Sequence, residues 1–243
     1  MKNSKNLNEF QIENDGTLDY LKLEDNSTST EQGISVYFRN IEENLVKYIE
    51  QAPAVFGAVA WLTSNNILDS LAKVENVQII VQKEDFLKPD TGYIDPESWK
   101  SKLHGKYSKL KCSIHRGEFE YWILGATSLE SDYSLDPVRC FGNYNFKKLP
   151  AFPRMHNKFL VFANVEVVMD CGMYPVHVIK PYAVWTGSFN FSENATNSLE
   201  NSLYITDKKI VNAYFKEYTQ IAAVSEKLNW DSKWIKPEWH VGV

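Results

Sequence analysis

Apolar positions recur along this chain with two different periods. Phe38, Ile41, Leu45 and Ile49 fall three or four apart, with Glu42, Glu43 and Lys47 between them, which predicts an amphipathic helix over 35–51 that ends before Pro53. Residues 54–62 are almost unbroken apolar sequence, as a strand buried on both faces requires. Ser64 or Asn65 then caps a short helix with Ile67, Leu68 and Leu71 inward, and 77–81 returns as a second strand. A helical connection of that length joins parallel strands, so 54–82 reads as a βαβ unit.

Further on, Asp95 and Pro96 supply the cap and first turn of a helix running to about Leu110. Residues 119–124 and 138–141 read as strands, and 142–153 as a loop. After the apolar run 159–162, the segment 163–182 alternates, turns near Asp170-Cys171-Gly172 and returns through Val176-His177-Val178, the pattern of a protruding hairpin with His177 facing solvent. Residues 183–186 and 203–205 complete a sheet. Thr206 or Asp207 caps a helix whose Ile210, Tyr214, Tyr218 and Ile221 share one face. The expected class is α/β, a mixed sheet with helices on both faces and no internal repeat. The tail 230–239 is aromatic and reads as packing over an edge or a partner rather than binding a ligand. Residues 1–33 form an acidic extension, with a hairpin over 10–21 turning at Asn14-Asp15-Gly16 and a linker over 25–33, ahead of a folded body over 34–243.

A chain of 243 residues that is 44% hydrophobic can bury a substantial core. No apolar run approaches membrane-span length, and the polar start Met1-Lys2-Asn3-Ser4 lacks a signal-peptide core, so the expected location is cytoplasmic, away from membranes. Cys112, Cys140 and Cys171 are three and widely spaced, which argues against a disulfide framework. Cys112 and His115 have zinc-ligand spacing without a second ligand pair, so no metal site is assigned. The net charge of −5 argues against a nucleic-acid partner until its distribution is examined. Between Trp99 and Lys158 eleven Lys and Arg face five acids, whereas the rest of the chain has 15 basic and 26 acidic residues. A positive segment of this kind suits a phosphodiester polymer. Lys100, Lys102, Lys106, Lys109 and Arg154 are its candidate substrate contacts, although a solvated helix face explains the lysines equally well.

The candidate chemistry lies where that segment ends. His156 and Lys158 are two apart and lead into Phe159-Leu160-Val161-Phe162. On an extended strand both side chains share a face, so an imidazole and an ammonium together make an anion site with a potential nucleophile or proton carrier. Downstream, Gly187 permits close backbone approach, while Ser188 and Asn190 offer a hydroxyl and an amide to one face. Glu200 is placed to accept from the His156 ring and fix its tautomer. An isolated H-x-K pair is usually an ordinary strand with alternating polar residues. The accompanying Gly-Ser-Phe-Asn and Glu make the chemical reading the better one. His104-Gly105-Lys106 repeats H-x-K, but on an expected helix, where positions two apart do not face together.

His156, Lys158, Gly187, Ser188 and Asn190 resemble the HKD motif of the phospholipase D superfamily, H-x-K-x4-D followed by G-S-x-N, and most of all its single-motif bacterial endonucleases. Two departures stand out. Ala163 occupies the Asp position, and 163–182 lies where related chains have a short turn. The run Asn197-Ser198-Leu199-Glu200 also replaces the usual N-x-E. The resemblance implies a phospholipase D-like fold over roughly 34–225 and a phosphodiesterase, expected to be a nuclease, that needs no metal or other cofactor. In it His156 attacks phosphorus to form a phosphohistidine, and Lys158, Ser188 and Asn190 hold the non-bridging oxygens. Because the chemistry takes two histidines and this chain has one credible motif, a homodimer sharing its active site is expected. The alternatives are a phospholipid-cleaving enzyme and an inactive nucleic-acid-binding relative, which Ala163 would suit.

Overall fold

In the computed structural model, which describes residues 6–9, 24–87, 95, 97–114, 126–128, 136–170, 174–237 and 239–241, the apolar run after Ala52 becomes a sheet's central strand. Strand β3 (Ala54–Val59) is buried at every position. Its alternation divides the core: Val55 and Val59 pack on one side, Ala54, Phe56 and Ala58 on the other. Gly57 is required here, because a Cβ would lie 2.3 Å from the Phe159 carbonyl oxygen on the neighbouring strand.

The helix α2 (Asn65–Leu71) starts where Ser64 accepts from the Ile67 backbone N–H, and β4 (Asn76–Gln82) returns parallel to β3. The expected βαβ unit is therefore present. Strand β6 (Val138–Phe141) extends the parallel group beside β4. On the other flank β7 (Lys158–Asp170) pairs antiparallel with β3, β8 (Tyr174–Gly187) with β7, and β9 (Ser202–Ile205) with β8. Strands β2 (Ile34–Tyr37) and β1 (Thr28–Ser29) close that edge, giving the order β1-β2-β9-β8-β7-β3-β4-β6 among the described residues. Helices α1 (Ile41–Gln51), α2 and α3 (Trp99–Tyr107) cover one face, through Leu45, Ile49, Leu68, Leu71 and Leu103. After the single-turn helix α4 (Glu193–Thr196), helix α5 (Lys208–Ala223) covers the other, with Val211, Phe215 and Tyr218. The mixed sheet with helices on both faces is as expected. A separate pair, β5 (Ala126–Ser128) with β10 (Trp239–Val241), joins the carboxyl end of the chain to its middle.

Several boundaries differ. The helix expected over 35–51 begins at Ile41, because Ile34–Tyr37 pairs with β9 and the chain turns through Asn40 in the left-handed region. Thr28–Ser29 pairs with β2, so the segment read as a linker contributes an edge strand. The cap of α3 is Ser98 rather than Asp95. The buried face of α5 includes Tyr218 and Ile221 as expected, but Val211 and Phe215 turn inward where Ile210 and Tyr214 were expected, and Ile210 is exposed; the cap is Asp207, which accepts from the Ile210 N–H. The hairpin over 10–21 and the strand over 119–124 lie outside the described residues, as does His115.

Strands β7 and β8 continue past the sheet. Pairing of β7 with β3 ends at Ala163, whereas pairing with β8 runs on to Asp170 and Tyr174, so 163–170 and 174–182 form a projecting two-stranded ribbon. Its register shifts between Phe162 and Ala163.

At the opposite end of β4, Lys83 is fully buried. Its ammonium donates to Glu226 Oε1 at 2.5 Å and to the carbonyls of Ser232 and Trp234 at 3.0 and 2.8 Å. A buried cation is tolerated only when its protons are satisfied in this way. It fastens the 226–236 segment to the sheet's edge.

Candidate functional site

The site residues gather where the parallel strands β3, β4 and β6 end and where β7 begins, the edge of an α/β sheet at which crossover loops leave room for a ligand. The Ala60 N–H donates to the Asn157 carbonyl at 2.8 Å, extending the β3–β7 ladder by one rung. His156 is thereby held at the end of β3, its ring 5.7 Å from that of Trp61 and perpendicular to it. Met155 is buried just before it and donates its N–H to Gln82 Oε1 at 2.7 Å.

Lys158 is the first residue of β7, and its Nζ lies 3.3 Å from His156 Nδ1 and 3.1 Å from the His156 carbonyl oxygen, to which it donates. The expected juxtaposition of imidazole and ammonium is present. Partial burial against Trp61, then the charges of Lys158 and Arg154, hold the imidazole pKa below its ordinary value. The ring is thus kept as the free base, the nucleophilic form. Burial also lowers the Lys158 pKa, opposed by the carboxylate of Glu200.

The second half of the site comes from the adjoining strands. Phe159 pairs with Thr186 and Gly187 with Ser202, which sets Lys158 beside the turn that leaves β8. A Cβ on Gly187 would come within 2.2 Å of the Asn201 carbonyl oxygen, so only glycine allows this approach. Ser188 donates its N–H to the Asn201 carbonyl and accepts from the Asn201 N–H on Oγ, both at 3.0 Å. Phe189 and Phe191 are buried anchors, and the Phe191 carbonyl accepts from the N–H groups of Thr63 and Ser64. Between them Asn190 is half-buried, and its Oδ1 is withdrawn from water without a hydrogen-bond partner among the described residues, a state that costs free energy unless a ligand completes it.

Glu200 departs from expectation. Its carboxylate accepts from Ser188 Oγ rather than from the His156 ring. The pairing of β8 with β9 brings residues 188 and 200–201 together, while the imidazole faces Lys158. Glu200 thus orients the hydroxyl and offsets the Lys158 charge.

Ala163, at the motif's Asp position, is fully buried opposite Ala54 among apolar side chains of the α5-side core. A carboxylate there would lie in the core, so alanine is a packing requirement of this chain.

Trp61 and Glu84 escaped the reading of the sequence. The indole N–H donates to Glu84 Oε1 at 3.4 Å; burial raises the carboxyl pKa, partly offset by Trp61 and Arg154. The only signal was a large aromatic at the end of the run 54–62.

The four lysines expected on α3 are divided. Lys102 pairs with Glu97 at 2.8 Å and Lys106 with Asp69 at 2.6 Å, while Lys100 is half-buried and Lys109, past the end of that helix, is exposed. His104 Nε2 lies 3.0 Å from the Phe86 carbonyl oxygen, a contact that ties α3 to the turn after β4. Among the described residues no group of three or more His, Cys, Asp or Glu forms a metal-binding cluster, and no helix is long and apolar enough to cross a membrane. A cavity of about 600 Å³ beside the start of α1, lined by Arg39, Glu42, Glu43 and Phe189, contains none of the five candidate catalytic residues.

No family model matches the chain. Among solved structures, NucT from Helicobacter pylori aligns with 80% of this chain and 98% of its own, at 16% identity and a TM-score of 0.46. Nuc from Salmonella typhimurium, a phospholipase D family member, aligns with 82% and 98%, at 16% identity and a TM-score of 0.45. The uncharacterized protein L381 of Acanthamoeba polyphaga mimivirus is 35% identical over 217 residues, which cover 85% of this chain and 71% of the viral one. That identity, sustained over that length, means that the chain belongs to the same family as L381.

Proposed function

We propose that this protein is a phosphodiesterase of the phospholipase D type that hydrolyses nucleic acid through a phosphohistidine, using its own side chains and no metal ion. The observation that carries the reading is the contact between His156 and Lys158 at the sheet edge, with the imidazole held as its free base. In the first step a ring nitrogen of His156 attacks phosphorus, a P–N bond forms and the P–O bond to the leaving group breaks. In the second, water attacks phosphorus, the P–N bond breaks and His156 is regenerated. Lys158 and Asn190 hold the non-bridging oxygens, joined by Ser188 once its hydroxyl turns from Glu200 to the phosphate, and these donors stabilise the charge that develops. The excess of basic residues between Trp99 and Lys158 supports a polyanionic substrate.

The leaving oxygen needs a proton, and one motif supplies one histidine. We therefore place the site at the two-fold axis of a homodimer, where the two His156 rings share one proton: one ring attacks as the free base, while the partner subunit's His156 carries the proton, gives it to the leaving oxygen and takes one back from the attacking water. A closed isologous interface gives such an arrangement.

The test is incubation of the purified protein, in excess chelator, with end-labelled DNA, end-labelled RNA and a phospholipid, beside the His156→Ala variant. Cleavage of a nucleic acid that disappears in the variant supports the reading. Cleavage of phospholipid alone, an active His156→Ala protein, or an absolute need for Mg²⁺ overturns it. Mixing wild-type and His156→Ala subunits should leave heterodimers nearly inactive. A dilute monomer with full activity would rule out the shared site.

A further inference from the structure

Between the proposed nucleophile and the carboxyl-terminal segment, the surface combines exposed aromatic rings with cations in a way the hydrolytic site does not explain. Trp234 is 61% exposed. Its ring stacks on Phe152 with centroids 6.2 Å apart and planes 26° from parallel. Nearby, Phe146 is 42% exposed with the Lys233 ammonium 3.8 Å from its centroid. Lys147, Lys148 and Arg154 are exposed on the same loop. The acids nearby are Asp231, paired with Lys236 at 3.3 Å, and Glu84 and Asp85, which act on Tyr144.

These rings are held, not loose. The Tyr144 N–H donates to the Lys233 carbonyl and the Ile235 N–H to Asn143 Oδ1, each at 2.8 Å. The buried Lys83 ammonium accounts for the carbonyls of Ser232 and Trp234 from beneath. A large indole is therefore fixed at the surface, with little conformational entropy left to lose on binding. Phe152 precedes His156 by four residues, which limits their separation to about 14 Å. A polymer bound on the rings thus reaches the reaction centre within a short stretch of backbone.

We propose that Trp234 and Phe152 form a stacking platform for the unpaired bases of a single-stranded nucleic acid, with Lys147, Lys148, Lys233 and Arg154 taking its phosphates and directing the strand to His156. This rests on the reading of His156 as a phosphodiesterase site and narrows its substrate to a strand whose bases are free to stack. Base-on-ring stacking tolerates any sequence, and a duplex buries the faces it needs.

The test is fluorescence anisotropy with labelled oligothymidylate, an abasic oligomer of equal length and a duplex, in the His156→Ala background to prevent turnover. Trp234→Ala should weaken oligothymidylate binding about tenfold, within the span known for single base-stacking contacts, and leave the abasic oligomer almost unaffected. Trp234→Phe should restore most of the affinity, whereas Trp234→Leu, which keeps apolar bulk without a π face, should not. An unchanged affinity for oligothymidylate, an equal loss on the abasic oligomer, or a preference for the duplex would overturn the platform. Hydrolysis of bis(4-nitrophenyl) phosphate by the wild-type protein separates the two readings. Its absence removes the phosphodiesterase reading with the stacking result intact, and its presence without a Trp234 effect removes the platform alone.

Discussion

Restoring the motif aspartate should damage this protein, not improve it. Ala163 has no exposed surface, faces Ala54 across the strand pair and lies at the register shift between β7 and β8, among Phe56, Val161 and Val184. A carboxyl group withdrawn wholly from water has its pKa raised by about 3–5 units. At pH 7 the proton that the folded state retains costs about 1.36 kcal/mol for each of the roughly three units above the unfolded value, or ~4 kcal/mol in all, before any strain from the added atoms. Against a usual stability of about 5–15 kcal/mol the variant is marginal or unfolded. The penalty has a pH signature. Above the unfolded-state value near 3.9 the unfolded chain has released the proton that the folded one still holds, so stability falls as pH rises, by about 1.36 kcal/mol per unit up to the raised folded value. Urea denaturation of Ala163→Asp should show ~2–3 kcal/mol of recovery between pH 7 and pH 5 relative to Ala163→Asn, which has nearly the same shape and no titration. A variant as stable as wild type, or one with higher activity, would show that the position can hold a working aspartate.

The remaining predictions concern the site and its supports. Because burial, and then the charges of Lys158 and Arg154, depress the His156 pKa, the nucleophilic free base accumulates as pH rises through a value below the ordinary 6.5; the acid limb of kcat/KM should lie there, and Arg154→Gln should move it upward. A limb at or above 6.5, unmoved by Arg154→Gln, would remove the electrostatic account. Lys83→Met should cost about 3–5 kcal/mol by leaving the Glu226 carboxylate buried without its cation, with the Lys83→Met/Glu226→Leu pair recovering most of it in urea titrations. A loss under about 1 kcal/mol would show that the tail does not depend on that pair. Neutralising Lys100, Lys102, Lys106 and Lys109 together should lower the salt slope of nucleic-acid binding by clearly less than the ~3.6 that four phosphate contacts would give, since Lys102 and Lys106 are already paired with acids. A full reduction would place the whole α3 lysine run on the substrate.

The local pattern of residues was enough to locate most elements and the two halves of the site. The unbroken apolar run at 54–59, the Ser64 and Asp207 caps and the apolar run after Lys158 are short-range properties, legible in a window no longer than the element itself. His156, Lys158, Gly187, Ser188 and Asn190 were legible because their identities and spacing are the signal. Pairing between distant segments could not be read that way. That Ile34–Tyr37 leaves the helical pattern depends on β9, some 170 residues away, offering a vacant edge. That Glu200 serves Ser188 and not His156 depends on the β8–β9 register, and the burial of Val211 and Phe215 in place of Ile210 and Tyr214 depends on which side of the first turns of α5 meets the sheet. Trp61, Glu84 and Trp234 acquire a role only through neighbours that lie 20 to 95 residues away in the chain: His156 for Trp61, Trp61 for Glu84, and Phe152 for Trp234. Such contacts gain their free energy from packing and desolvation in three dimensions, quantities that no window of sequence contains.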